Sequence, residues 1–61
     1  MEVIITLYGA TIGRSNNMTI LPRIGESMRI CEGCYKVKNV VWHINAVNHM
    51  HVEIVVDYMN N

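Results

Sequence analysis

The side chains of this 61-residue sequence that could do chemistry gather in one stretch, RICEGCYKVKNVVWHI, Arg29 to Ile44. Cys31 and Cys34 have C-x-x-C spacing, and His43 stands upstream of His49 and His51. Arg29, Lys36 and Lys38 are three of the five basic residues, and Trp42 is the only tryptophan. Two thiols and a set of imidazoles could complete a tetrahedral zinc site. Nine residues of extended chain separate Cys34 from His43, however, or ~30 Å at about 3.3 Å per residue. A single centre would have to break the hairpin that the apolar pattern supports. Redox chemistry fares no better, because a reactive C-x-x-C motif sits at a helix N-terminus that lowers the thiol pKa. Here the motif spans a turn that contains Glu32. The two cysteines read as reduced thiols on an outer face, in a cytoplasmic setting.

Nothing else in the chain suggests catalysis. There is no Ser-His-Asp set, no phosphate-cradling glycine loop and no pair of inward carboxylates; Glu26, Glu32, Glu53 and Asp57 all read as surface groups. A single domain spanning residues 1–61 is too small to enclose a substrate pocket and buries only a modest core. The expectation is a non-enzymatic protein without cofactor, which reaches its working form by self-association or by binding a partner. Three imidazoles near one another, His43, His49 and His51, could hold a divalent ion or make an interface pH-sensitive. Against this stands the commoner reading as solvated strand-end residues, and a metal-dependent module ranks third among the readings.

The elements that must position these residues are strands. The chain is 51% apolar without a phenylalanine, and β-branched aliphatic residues dominate. Glu2–Tyr8 alternates as a first strand, beginning with an acid and lacking the basic start of a signal peptide. Gly9, Gly13 and Ser15-Asn16-Asn17 suggest a long loop or irregular hairpin, after which Met18–Leu21 resumes extended structure up to Pro22. Glu32-Gly33 reads as a two-residue turn that pairs Cys31 with Cys34, Ile30 with Tyr35, Arg29 with Lys36 and Met28 with Val37. Apolar parity then switches from odd (Tyr35, Val37) to even (Val40, Trp42, Ile44), which predicts a β-bulge near Lys38-Asn39. His51–Asp57 forms the last strand, after the loop Asn45–Met50. Trp42 is expected opposite Val52, Val40 opposite Ile54, and His43 opposite His51, with Tyr35 and Trp42 inward. The sum is an all-β fold, a small SH3-like antiparallel β-barrel of four to five strands, with an OB-like barrel or open curled sheet as alternatives.

The pattern Pro22-Arg23-Ile24-Gly25-Glu26, followed by Tyr35-Lys36-Val37 and Val40-Val41-Trp42, resembles short bacterial and bacteriophage proteins in which PRxGE precedes a YxVxxVxW strand. The resemblance spans Leu21 to Val56. It implies a small β-barrel of phage or mobile-element origin and brings no catalytic residue with it.

Formal charge is zero, so no global field draws the chain to nucleic acid or an anionic membrane. The binding candidates are therefore local. Arg29, Lys36 and Lys38 are predicted to share an outer face, and Ile4, Val41 and Val55 are apolar outer positions suited to packing against protein. Association by exposed edge strands is the leading expectation. A nucleic-acid surface on the basic hairpin is the alternative.

Overall fold

The computed structural model describes residues 1–45 and 49–59. Strands β1 (Glu2–Leu7), β2 (Ala10–Ser15), β3 (Ser27–Ile30), β4 (Gly33–Ile44) and β5 (Met50–Tyr58) form one sheet in the order β2-β1-β5-β4-β3. The all-β expectation holds, in the form of a half-barrel whose edges are β2 and β3. Three of its four pairings are antiparallel. The exception is β1 with β5, which run parallel with Val3 beside Val52 and Ile5 beside Ile54. Among the described residues no helix is long and apolar enough to cross a membrane.

Alternation sorts each strand into a concave and a convex face. Val3, Ile5, Val37, Val52, Ile54 and Val56 line the concave face, each no more than 5% exposed. Met18, Leu21, Met28 and Ile30 pack on them from the crossing chain and β3. The bulge lies where the parity switch predicts, between Val37 and Asn39. Beyond it Val40 pairs with Ile54, Trp42 with Val52 and His43 with His51, as expected. Inserting Lys38 lets residues of opposite parity share one face, so the core continues across the bend.

Other expectations are met in part or fail, each for a local reason. Of the long loop or irregular hairpin, the hairpin forms: a tight turn at Tyr8 and Gly9, with φ of 50° and 82°, leads into β2, whose register with β1 is shifted. Both central residues are left-handed, as in a type I′ turn, but a tyrosine occupies a place that usually goes to Asn, Asp or Gly. Asn16 and Asn17, the expected turn residues, have no positive φ. A register shift in β2 places Ile12 as an extra residue, which packs against the core. Beside it Gly13 lies opposite Ile5. A Cβ there would sit 3.2 Å from Ile5 Cδ1 and 3.8 Å from Ile30 Cγ2, so this glycine lets the two sheet edges draw together across the concave face. Met18–Leu21 forms no strand.

The β3–β4 turn falls on Cys31-Glu32, one place earlier than expected, with Cys31 at φ 54°. Its register is Ile30 with Gly33, Arg29 with Cys34, Met28 with Tyr35 and Ser27 with Lys36. The expected pairs Cys31–Cys34, Ile30–Tyr35, Arg29–Lys36 and Met28–Val37 do not form. A two-residue slide keeps every side chain on its face, so alternation alone could not separate the two registers. What decides is Gly33, over which the Tyr35 ring lies so closely that a Cβ would come within 2.6–2.8 Å of it.

Candidate interaction surfaces

The convex face is crossed by rows set by the registers. Val41, Glu53, Ile4 and Arg14 form one row, and Asn39, Val55, Thr6 and Thr11 the next. Glu53 therefore stands between Val41 and Ile4. Ile4, Val41 and Val55 are all half-buried, and the polar groups among them interrupt the apolar patch that the sequence suggests. Thr6, only 5% exposed, donates its hydroxyl to Glu53 Oε2 at 2.7 Å. Glu53 Oε1 lies 2.9 Å from His43 Nε2. The hydrogen bonds from Thr6 and then His43 hold the Glu53 carboxyl below its ordinary value, outweighing desolvation. This carboxylate is thus a buttressed convex-face group and not a free surface charge. His43 and His51 stack with ring centroids 4.5 Å apart and planes 10° from parallel. Among the described residues no three His, Cys, Asp or Glu side chains converge to hold a metal ion.

The basic residues keep the convex side but not the expected arrangement. Arg29 is opposite Cys34, while Lys36 lies between Ser27 on β3 and Asp57 on β5. The like-charge opposition of Arg29 and Lys36 is absent, and Asp57 takes its place beside Lys36. Lys36, Lys38, Asp57 and Tyr58 line an open cleft of ≈ 200 Å³. Tyr8 donates its hydroxyl to Asp57 Oδ1, and the Tyr58 N–H reaches the same oxygen at 2.7 Å. These bonds pull the Asp57 carboxyl down, and the bond to Asp57 pushes the Tyr8 hydroxyl above its ordinary value. The three tyrosines form a chain of rings, with Tyr58 6.2 Å from Tyr8 and 5.8 Å from Tyr35. Cys31 and Cys34 are free, exposed thiols.

At the opposite end of the sheet, a surface appears that parity reasoning misses. Trp42, Ile44 and Met50 occupy concave positions, yet they are 49%, 72% and 46% exposed. Trp42 is inward by face but outside the core, because β3 pairs only with Gly33–Lys36 and leaves this end of β4 unlined. Ile44 faces Met50 and Trp42 faces Val52 across the β4–β5 hairpin, so the three side chains make one apolar strip continuous with the core.

The backbone beside that strip is open as well. Asn45 N–H donates to His49 C=O at 2.9 Å, which closes the hairpin with a hydrogen-bonded pair. Antiparallel ladders alternate, so His43–His51 and Val41–Glu53 are bonded pairs too, and Val40, Trp42 and Ile44 aim their N–H and C=O away from β5. The Val40 N–H agrees, being capped by its neighbour's Asn39 Oδ1 at 2.9 Å. Below the bulge that side of β4 is occupied. Val37 bonds Glu26 C=O through its N–H and Gly25 N–H through its C=O, both at 2.9 Å. Above the bulge, among the described residues, no strand pairs with it. Comparison with protein families, curated proteins and solved structures finds no match.

Proposed function

We propose that this chain is a non-enzymatic protein-binding module that works by strand addition, and that its first partner is a second copy of itself. The observation that carries the reading is the pairing of an open backbone edge with an exposed apolar strip on the same few residues, Val40, Trp42 and Ile44. An edge of this kind is ordinarily blunted by lysine, proline, bulges or brevity. The other two edges have such devices: β3 is four residues long and carries Arg29, and β2 has its Ile12 shift and Arg14. Asn39–Ile44, NVVWHI, has only the bulge that begins it and the Asn39 side chain on the Val40 N–H, which leaves Trp42 and Ile44 open.

A second copy suits this edge because the segment is its own complement. Antiparallel pairing about a two-fold axis at Trp42 would set Trp42 against its equivalent and Val40 against Ile44. The two strips would then merge on one concave surface without bringing like charges together. Sliding the pairing toward the turn would place Lys38 against the partner strand, so the charge pattern confines the contact to the end above the bulge. A chain with 4659 Å² of total surface can commit only a few hundred Å² per copy through one hairpin, which belongs with weak, micromolar association. The phage or mobile-element origin rests on the Leu21–Val56 pattern, and a reducing, cytoplasmic setting on the two free thiols. Light scattering across a concentration series tests the reading: mass should rise toward a dimer, and Ile44→Lys should hold it at the monomer. A parent chain that stays monomeric up to millimolar concentration, or an Ile44→Lys variant that associates equally, would refute it.

A further inference from the structure

The turn end of the sheet carries a second surface, which self-association through β4 leaves free. We propose that the cleft lined by Lys36, Lys38, Asp57 and Tyr58, with the Tyr8 ring at its side, binds a nucleotide unit: a base on the tyrosines and a phosphate between the lysines.

The first argument is the placement of Tyr8. Its φ of 50° is a left-handed conformation that Asn or Gly adopts more easily and that strains an aromatic residue. Burial does not repay that strain, since Tyr8 is 75% exposed. Instead the ring is held in place, by its hydroxyl bond to Asp57 and by the Tyr58 ring tilted 48° to it. Tyr58 is itself 57% exposed and backed by Tyr35. Backbone strain that fixes an exposed side chain is a pointer to function.

The second argument is the charge around those rings. Lys36 and Lys38 are two apart on β4 and so share its convex side, where both flank the cleft, Lys38 as the unpaired residue of the bulge. Asp57 is the one acid among the lining residues; it stays ionised opposite Lys36, with its Oδ1 engaged by Tyr8 and Tyr58, so the two lysines leave the lining with a net positive charge of one. Two cations beside exposed aromatic rings are the combination that binds single-stranded nucleic acid, through stacking and backbone neutralisation. At ≈ 200 Å³ and open to solvent, the cleft is too small to enclose a drug-sized ligand but admits one flat ring or one phosphate.

The shared chemistry is a stacked base with its phosphate, and its source is either a free nucleotide or a strand. Titration of the full chain, followed by backbone NMR at low salt, uses a ten-nucleotide oligothymidylate, thymidine monophosphate and polyglutamate. Running it on Ile44→Lys as well separates this site from self-association. The oligonucleotide should shift Tyr8, Lys36, Lys38, Asp57 and Tyr58, with a log–log salt slope near −1.4 for about two phosphates. Lys38→Ala should reduce that slope by about 0.7. Tyr8→Gly relieves the backbone, so it should melt no lower than the parent, yet bind at least about tenfold more weakly. Equal affinity for the mononucleotide would assign the site to free nucleotides, and preference for the oligonucleotide would assign it to strands; both uphold it. No saturable shift at millimolar ligand, equal binding of polyglutamate, or parent-like binding by Tyr8→Gly would overturn it.

Discussion

Below the bulge at Lys38, β4 is held from both sides: β3 and the Gly25-Glu26 segment bond one edge, and β5 bonds the other. Val37 is 1% exposed there. Above the bulge the same strand keeps its β5 partner but has no described neighbour on the other edge, and Trp42 is 49% exposed. The two halves share the same alternation, and the open half is the richer in strand formers, with Val40, Val41, Trp42 and Ile44 against Tyr35 and Val37. Composition therefore does not account for the exposure, whereas the reach of a second strand does. The lesson is that face and burial are separate properties. Alternation determines which way a side chain points, while the length of the neighbouring strand determines whether anything covers it.

The largest effect expected from this contrast is on stability. Val37→Ala removes two methyl groups from the covered half and leaves a cavity, so it should cost about 2 kcal/mol. Trp42→Lys in the open half should cost less than about 1 kcal/mol in the monomer, as at ordinary surface sites, because a long lysine stem replaces a half-exposed ring. Urea unfolding at concentrations that favour the monomer measures both, and equal losses would erase the distinction.

A smaller effect should come from Gly33→Ala. The added Cβ would have to displace the Tyr35 ring, and overpacking of this kind costs about 1–2 kcal/mol. The cost should be accompanied by a changed near-ultraviolet tyrosine signal, since Tyr35 backs Tyr58. An unchanged signal and melting temperature would mean that the ring does not fix the register of the covered half.

Cys31→Gly should act in the opposite direction. At φ 54° glycine escapes the left-handed penalty, and a gain of about 0.5–1 kcal/mol is expected despite the entropy that glycine adds to the unfolded chain. Cys34→Ser, on an exposed convex position, should be neutral within about 0.5 kcal/mol. A melting temperature that falls in both variants would indicate that the thiols contribute to the covered half.

The smallest effect concerns acid. Glu53 has a folded pKa below its ordinary 4.5, so its contribution to stability is present above 4.5 and is lost as pH falls through the lower folded value. Its side chain is 25% exposed, which keeps the resulting slope shallow. Glu53→Gln should flatten the fall in melting temperature between neutral pH and pH 3, whereas an unchanged profile would show that the Thr6 and His43 bonds do not stabilise the carboxylate.

Much of β4 and β5 is legible from their residues. The switch from Tyr35 and Val37 to Val40, Trp42 and Ile44 demands one extra residue, and the bulge with its pairings follows. Other features leave no such trace. Tyr8-Gly9 is not a recognisable turn dipeptide, so the sequence leaves a long loop and an irregular hairpin both open and does not locate the turn. The two candidate registers of β3 with β4 keep identical faces, so choosing between them requires the Gly33–Tyr35 contact. The parallel pairing of β1 with β5 joins opposite ends of the sequence and has no local signature. Of the candidate site, the convex placement of Lys36 and Lys38 is readable from alternation. The exposure of Trp42, Ile44 and Met50 is not, because it depends on where β3 stops.

Residue-resolved amide hydrogen exchange tests strand addition at the open half most directly, measured on the parent chain at low and high micromolar concentration. Val41 and His43, bonded to β5, should be protected at both concentrations. Trp42 and Ile44 should exchange freely when dilute and become protected as copies associate. Protection of Trp42 and Ile44 already at dilution, or free exchange at every concentration while mass rises, would contradict association through this edge.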